Sequence, residues 1–182
     1  MKYKFDNNNI SDLPLRIIHV FDKIYAVFYG DKLGTILHGG AIITLEISDT
    51  GTLVDTVKYA TLLPPADWTQ FSNPEIIQVD GNIFAATYRI STRAEAKTFE
   101  ISNVGIITNH TNDPAWKYAF QPASSYTINS PKIIRVNPTV DPVIKTFAIV
   151  YSKSVGSDTN NGVLLTIKIP DNGSILKQIS DS

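Results

Sequence analysis

The chain has 182 residues, with 16 Lys plus Arg against 17 Asp plus Glu and no cysteine. That length fits one ordinary domain, and a charge of 16 − 17 = −1 leaves no electrostatic footprint for nucleic acid or an anionic membrane. Disulfides, thiolate metal sites and cysteine nucleophiles are excluded, while 43% apolar residues supply the material for a core.

The first residues, Met1-Lys2-Tyr3-Lys4-Phe5-Asp6, carry no apolar h-region of a secretory signal. The least polar stretch, 34–45, contains His38 and falls short of the roughly 18 residues that suggest a spanning helix. Compartment stays open, since a cysteine-free chain suits oxidising and reducing surroundings alike.

In chain order, a first strand, A, is predicted over residues 15–20 (Leu-Arg-Ile-Ile-His-Val). Strand B follows over 24–29 (Ile-Tyr-Ala-Val-Phe-Tyr) and strand C over 44–47 (Thr-Leu-Glu-Ile). The turn Asp49-Thr50-Gly51 leads into a short strand D at 52–54. The same order returns at 74–79 (Pro-Glu-Ile-Ile-Gln-Val), 83–88, 98–101 (Thr-Phe-Glu-Ile) and 106–108. It returns again at 131–136 (Pro-Lys-Ile-Ile-Arg-Val), 146–151, 166–169 (Thr-Ile-Lys-Ile) and 174–176. In every copy a glycine lies seven residues after the strand C threonine: Gly51 after Thr44, Gly105 after Thr98, Gly173 after Thr166. These are three copies of one unit.

Val, Ile, Thr, Tyr and Phe dominate the runs, Gly, Pro, Asn and Asp punctuate them, and no helical periodicity of three turns is present. The chain is therefore predicted to be all-β. Ile18 to Ile77 spans 77 − 18 = 59 residues and Ile77 to Ile134 spans 134 − 77 = 57. That period suits a four-stranded propeller blade with long loops, slightly longer than the about 40–50 residues of WD40 or kelch units. Strands B and C are apolar on both faces, whereas a sandwich sheet alternates because one face meets water.

The Ile-Ile-x-Val strand, the Ile-Tyr-Ala-x-x-Tyr strand and the Thr-x-Glu-Ile-x-x-x-Gly hairpin together resemble β-propeller repeats of some archaeal and bacterial proteins. The resemblance implies a fold and no particular activity. No WD dipeptide, kelch double glycine or sialidase Asp-box is present; Ser48-Asp49-Thr50-Gly51 comes nearest to the last. The whole of residues 1–182 reads as one half-propeller domain, with blades at about 13–60, 73–112 and 130–180. Closed propellers have roughly four to eight blades, so a homodimer closing a six-bladed ring is expected. An open chain would expose the apolar flanks of blades one and three.

Candidate chemistry is sparse. His19, His38 and His110 have no histidine partner at metal-ligand spacing, and no metal or cofactor is predicted. Asp158-Thr159-Asn160-Asn161-Gly162 lacks the distal Glu of an EF-hand loop. Glu46 and Glu100 occupy equivalent positions, with Lys168 in the third copy; an acid pair of that kind suits glycoside chemistry. No catalytic residue is assigned. Asn9, Asn109 and Asn172 begin glycosylation sequons, about the number composition alone produces.

Two binding regions are expected. His19, Gln78 and Arg135 share one strand A position, which would face the central channel and suit a small anion. The D-to-A connections carry Trp68 and Phe71, then Trp116, Tyr118, Phe120 and Tyr126. With B–C loops at 30–40, 90–95 and 152–162 they would form an aromatic face for a glycan or protein partner, or else plug gaps between blades to anchor the long connections. The functional expectation is a non-catalytic binding or scaffold module, with a glycan-processing enzyme as the alternative.

Overall fold

The computed structural model describes residues 15–33, 36–61, 71–90, 93–110, 113–120, 126–136, 143–155 and 161–178. They form an all-β chain of three antiparallel sheets. Sheet 1 is a meander of β1 (Arg16–Phe21), β2 (Ile24–Leu33), β3 (Ile36–Ile47) and β4 (Leu53–Thr61). Sheet 2 runs β5 (Phe71–Asp80), β6 (Ile83–Ile90), β7 (Arg93–Ile101) and β8 (Ile107–Thr108), with β9 (Lys117–Phe120) also on β7. Sheet 3 runs β10 (Tyr126–Val136), β11 (Ile144–Val155), β12 (Asn161–Pro170) and β13 (Leu176–Gln178).

Two expectations about connections need correction. The strands run on through most of the expected B–C loops: β2 reaches Leu33 before β3 starts at Ile36, and β6 reaches Ile90 before β7 starts at Arg93. Glycines and polar residues continue the ladders there, because pairing needs only backbone groups. The second D-to-A connection also holds a strand. Thr108 pairs with Glu100 and Lys117 with Lys97, so β8 and β9 are two pieces of one outer strand along β7. The excursion between them carries a short 3-10 turn, Pro114–Trp116.

The sheets stack head to tail through two seams. Across the first, Ala26, Phe28 and Ile42 of sheet 1 meet Phe84, Ala86, Tyr88 and Phe99 of sheet 2. Phe28 and Tyr88 cross it edge to face at 5.9 Å. Across the second, Ala85 and Ala96 of sheet 2 meet Phe147, Ile149 and Ile167 of sheet 3. The pleat sends alternate residues of one strand to opposite seams, so β6 is buried on both faces. Each large apolar side chain enclosed this way contributes about 1.5–3 kcal/mol.

The same repeat positions face each seam. Ala26, Ala85 and Ala148 are equivalent, and so are Thr44, Thr98 and Thr166. The Thr44 hydroxyl donates to the Gly105 carbonyl at 2.6 Å, and the Thr98 hydroxyl donates to the Gly173 carbonyl at 2.5 Å. Each bond runs from the third strand of one sheet to the hairpin glycine of the next. Gly51, Gly105 and Gly173 all have φ between 75° and 78°, a conformation that favours glycine.

The two ends of the stack differ from the expected pair of exposed flanks. The outward face of sheet 3 is open, with Ile134 at 55%, Val150 at 43% and Leu164 at 57% exposure. The outward face of sheet 1 is largely closed instead: Val27, Tyr29, Ala41, Ile43 and Leu45 are buried within the chain. Its rim, at Ile17 and Gly51, stays exposed.

Candidate functional site

The first strands of the three sheets lie side by side, with β5 packed against both β1 and β10. Arg16, Glu75 and Lys132 each stand two residues before the second isoleucine of the Ile-Ile pair. The structure brings these three together. Arg16 donates to Glu75 Oε1 from Nε at 2.9 Å and from Nη2 at 2.7 Å. Lys132 Nζ donates to the same oxygen from the other side. Two cations on one carboxylate leave an excess positive charge on a half-exposed row. Partial burial, and then the neighbouring Arg16 charge, push the Lys132 pKa below the ordinary lysine value.

The expected trio lies three residues further along and behaves differently. His19 Nε2 is 2.7 Å from the Asp22 carbonyl, and Gln78 Nε2 donates to the Gly81 carbonyl at 2.7 Å. Each side chain closes its own A–B hairpin, satisfying a turn carbonyl. Arg135 is exposed; Lys145 chiefly holds the Asp80 pKa down, and the Arg135 charge adds only a little. In a single chain, then, the strand A charges meet at 16, 75 and 132. The alignment of Arg, Glu and Lys at one repeat position was the available signal: opposite charges on neighbouring copies attract only if the first strands are adjacent.

Trp116 is a buried wedge, and the expected exposed aromatic contact does not form there. Its ring lies under the hairpin of sheet 3, so close that a Cβ on Gly173 would stand 2.5 Å from Cη2 and Cζ3. His110 stacks on it with centroids 3.8 Å apart, and the Ile175 amide donates to the Ala115 carbonyl at 2.7 Å. The excursion between β8 and β9 thus pins sheet 2 to sheet 3. The alternation Trp116, Tyr118, Phe120 was a strand signal hidden in what reads as a loop. Trp68, residues 158–160 and the His38 side chain lie outside the described residues.

A second charged cluster is buried at the first seam. The Tyr88 hydroxyl donates to Glu95 Oε2 at 3.2 Å, and Lys117 Nζ lies 3.1 Å and Arg93 Nε 3.7 Å from Glu95 Oε1. Lys97, on the same strand, has its pKa lowered to about 8, first by burial and then by Lys117, against the pull of Glu95. A third cluster spans the second seam: Lys145 donates to Asp80 Oδ2 at 2.7 Å and also to Asp171. Those bonds raise the Lys145 pKa and lower that of Asp80.

Glu46 and Glu100 each lie near a different basic side chain and not near one another's. Glu100 Oε1 lies 3.8 Å from His110 Nε2, and Glu46 acts electrostatically on Lys23. Among the described residues no three His, Asp or Glu side chains gather as metal ligands, and no helix is long and apolar enough to cross a membrane. Comparison with protein-family models, with curated proteins and with solved structures finds no match for this chain.

Proposed function

We propose that the three sheets are consecutive blades of a propeller, that two copies complete a six-bladed ring, and that the protein is a non-catalytic binding or scaffold module. The ligand class is a small anion, held at the row of first strands. The observation that carries this reading is the convergence of Arg16, Glu75 and Lys132 from three sheets onto one carboxylate oxygen. Strands that sit innermost in a radial array meet in this way, whereas their edges would diverge elsewhere.

Closing the ring sets Lys132 of one copy beside Arg16 of the other, with no carboxylate between them. Two such cation pairs per ring need a counter-ion, and phosphate or a carboxylate supplies one with several acceptor oxygens. Arg135 adds a positive charge three residues further along the same strand. Isothermal titration with inorganic phosphate at low ionic strength tests the reading. Binding that disappears in Arg16→Ala/Lys132→Ala, and persists in Trp116→Phe, supports it. Phosphate binding unchanged by the double substitution overturns the axial site.

A further inference from the structure

We infer that the open face of sheet 3 docks head to tail on sheet 1 of a second copy, through the same hydroxyl-to-glycine clasp that joins the sheets inside the chain. The inference rests on the ring proposed above and names its joining surfaces.

The argument is a pattern with one member missing at each end. Thr44 and Thr98 are fully buried, and each donates to a buried glycine carbonyl of the following sheet. Thr166 occupies the same position in sheet 3 and is only half-buried; its backbone is paired in the ladder, but its hydroxyl makes no hydrogen bond to another described residue. Gly51 occupies the glycine position in sheet 1, with the same positive φ as the other two. It is exposed, and nothing lies within 4 Å of where its Cβ would be. One donor is left at the end of the stack and one acceptor at its start.

The apolar surface has the same asymmetry. Ile134, Val150 and Leu164 are exposed in sheet 3, whereas the equivalent Ile18, Phe28 and Ile42 pack into the first seam. They surround Thr166 on one face of the sheet, since Ala148 pairs with Ile134 on one side and with Thr166 on the other. Sheet 1 offers the exposed rim at Ile17 and Gly51 and, behind it, the cluster around Val27, Ile43 and Leu45. That cluster is already buried in the single chain. A partner therefore meets sheet 1 at its exposed rim, Ile17 and Gly51.

A cysteine-free chain makes the test direct. Thr166→Cys and Gly51→Cys are prepared separately, mixed and oxidised. A hydroxyl-to-carbonyl clasp brings its two residues close, and a disulfide forms where the Cα atoms are roughly 4.4–6.8 Å apart. A covalent two-chain species from the mixture, and from neither variant alone, is the expected result. A product from Thr166→Cys alone would mean that sheet 3 packs on its own copy, overturning the head-to-tail surface. Leu164→Glu, at an exposed position, is the folding-safe companion. By sedimentation equilibrium it should convert two-chain particles to single chains of 20.1 kDa with unchanged circular dichroism. Wild-type chains that sediment singly at every concentration overturn both this surface and the ring. Two-chain particles that neither cross-link in the mixture nor dissociate with Leu164→Glu overturn the surface alone. Phosphate titration reports on the axial site separately from all of these outcomes.

Discussion

Thr98 and Thr166 stand at one position of the repeat, on equivalent strands of sheets 2 and 3, yet one is sealed in a seam and the other half-exposed. The sheet that carries each residue does not cause that difference. What differs is the next sheet: sheet 2 has sheet 3 stacked on it, and among the described residues no further sheet stacks on sheet 3. The glycines show the mirror image, with Gly105 and Gly173 buried by the preceding sheet and Gly51 exposed. In a stacked repeat, a residue's energetic weight is set by its neighbour unit as much as by its own side chain.

The largest effect separates the two faces of one strand. Ile149 is fully buried in the second seam and Val150 points out of the open face. Ile149→Ala should cost about 2–5 kcal/mol by cavity formation, and Val150→Ala less than about 1 kcal/mol in the single chain. Urea unfolding of both variants, at a concentration where chains are single, checks this. Equal losses would mean that the open face is packed in solution.

The hairpin glycines sharpen the comparison next. Gly173→Ala drives a methyl group into the Trp116 ring and adds left-handed backbone strain, so about 3 kcal/mol should be lost. Gly51→Ala meets no atom and should lose only the backbone part, about 1–2 kcal/mol. A Gly51→Ala variant as unstable as Gly173→Ala would break the distinction between closed and open ends.

The clasp itself is a smaller quantity. Thr98→Val removes one buried donor and leaves the Gly173 carbonyl with a weaker environment, an expected loss of about 1–2 kcal/mol. Thr166→Val should be nearly silent in single chains and should weaken their association instead. Thermal melts at low and high protein concentration separate the two behaviours.

A pH slope at the first seam completes the comparison. Lys97 is buried where Ile43 and Leu165 stand in the other copies. Its pKa in the folded chain is about 8, below the unfolded value of roughly 10.4. Between those values the unfolded state binds the extra proton, so stability rises with pH, by roughly 3 kcal/mol across the whole window. Lys145 has a raised pKa, so its contribution is lost only above the ordinary lysine range and does not mask the slope. Lys97→Leu should flatten unfolding free energy between pH 8 and 10. The depressed Asp80 pKa acts at the opposite end: its contribution is present above roughly pH 4 and lost as pH falls through the lowered value. A Lys97→Leu chain with the same alkaline slope as wild type would assign that slope to another group.

Much of the architecture was legible in the residues alone. The triple recurrence of Ile-Ile, Tyr and Thr-x-Glu-Ile determines an all-β chain of three antiparallel sheets, because β-branched runs separated by turn residues have no other way to pair their backbones. The positive φ at Gly51 and Gly173 was readable from Asp and Asn preceding glycine. Lys117–Phe120 was not readable as a strand, because an interruption in the outer strand hides its register. Which polar residues meet was also invisible. His19 and Gln78 turn to their own hairpins while Arg16, Glu75 and Lys132 converge, and only the sideways packing of β1, β5 and β10 distinguishes those outcomes. Periodicity is a local property, carried by side chains two and four residues apart on one strand. Burial, ion pairing and the open face at Leu164 depend on which sheet lies alongside, and that contact is made by residues some 50 to 75 positions away in the chain.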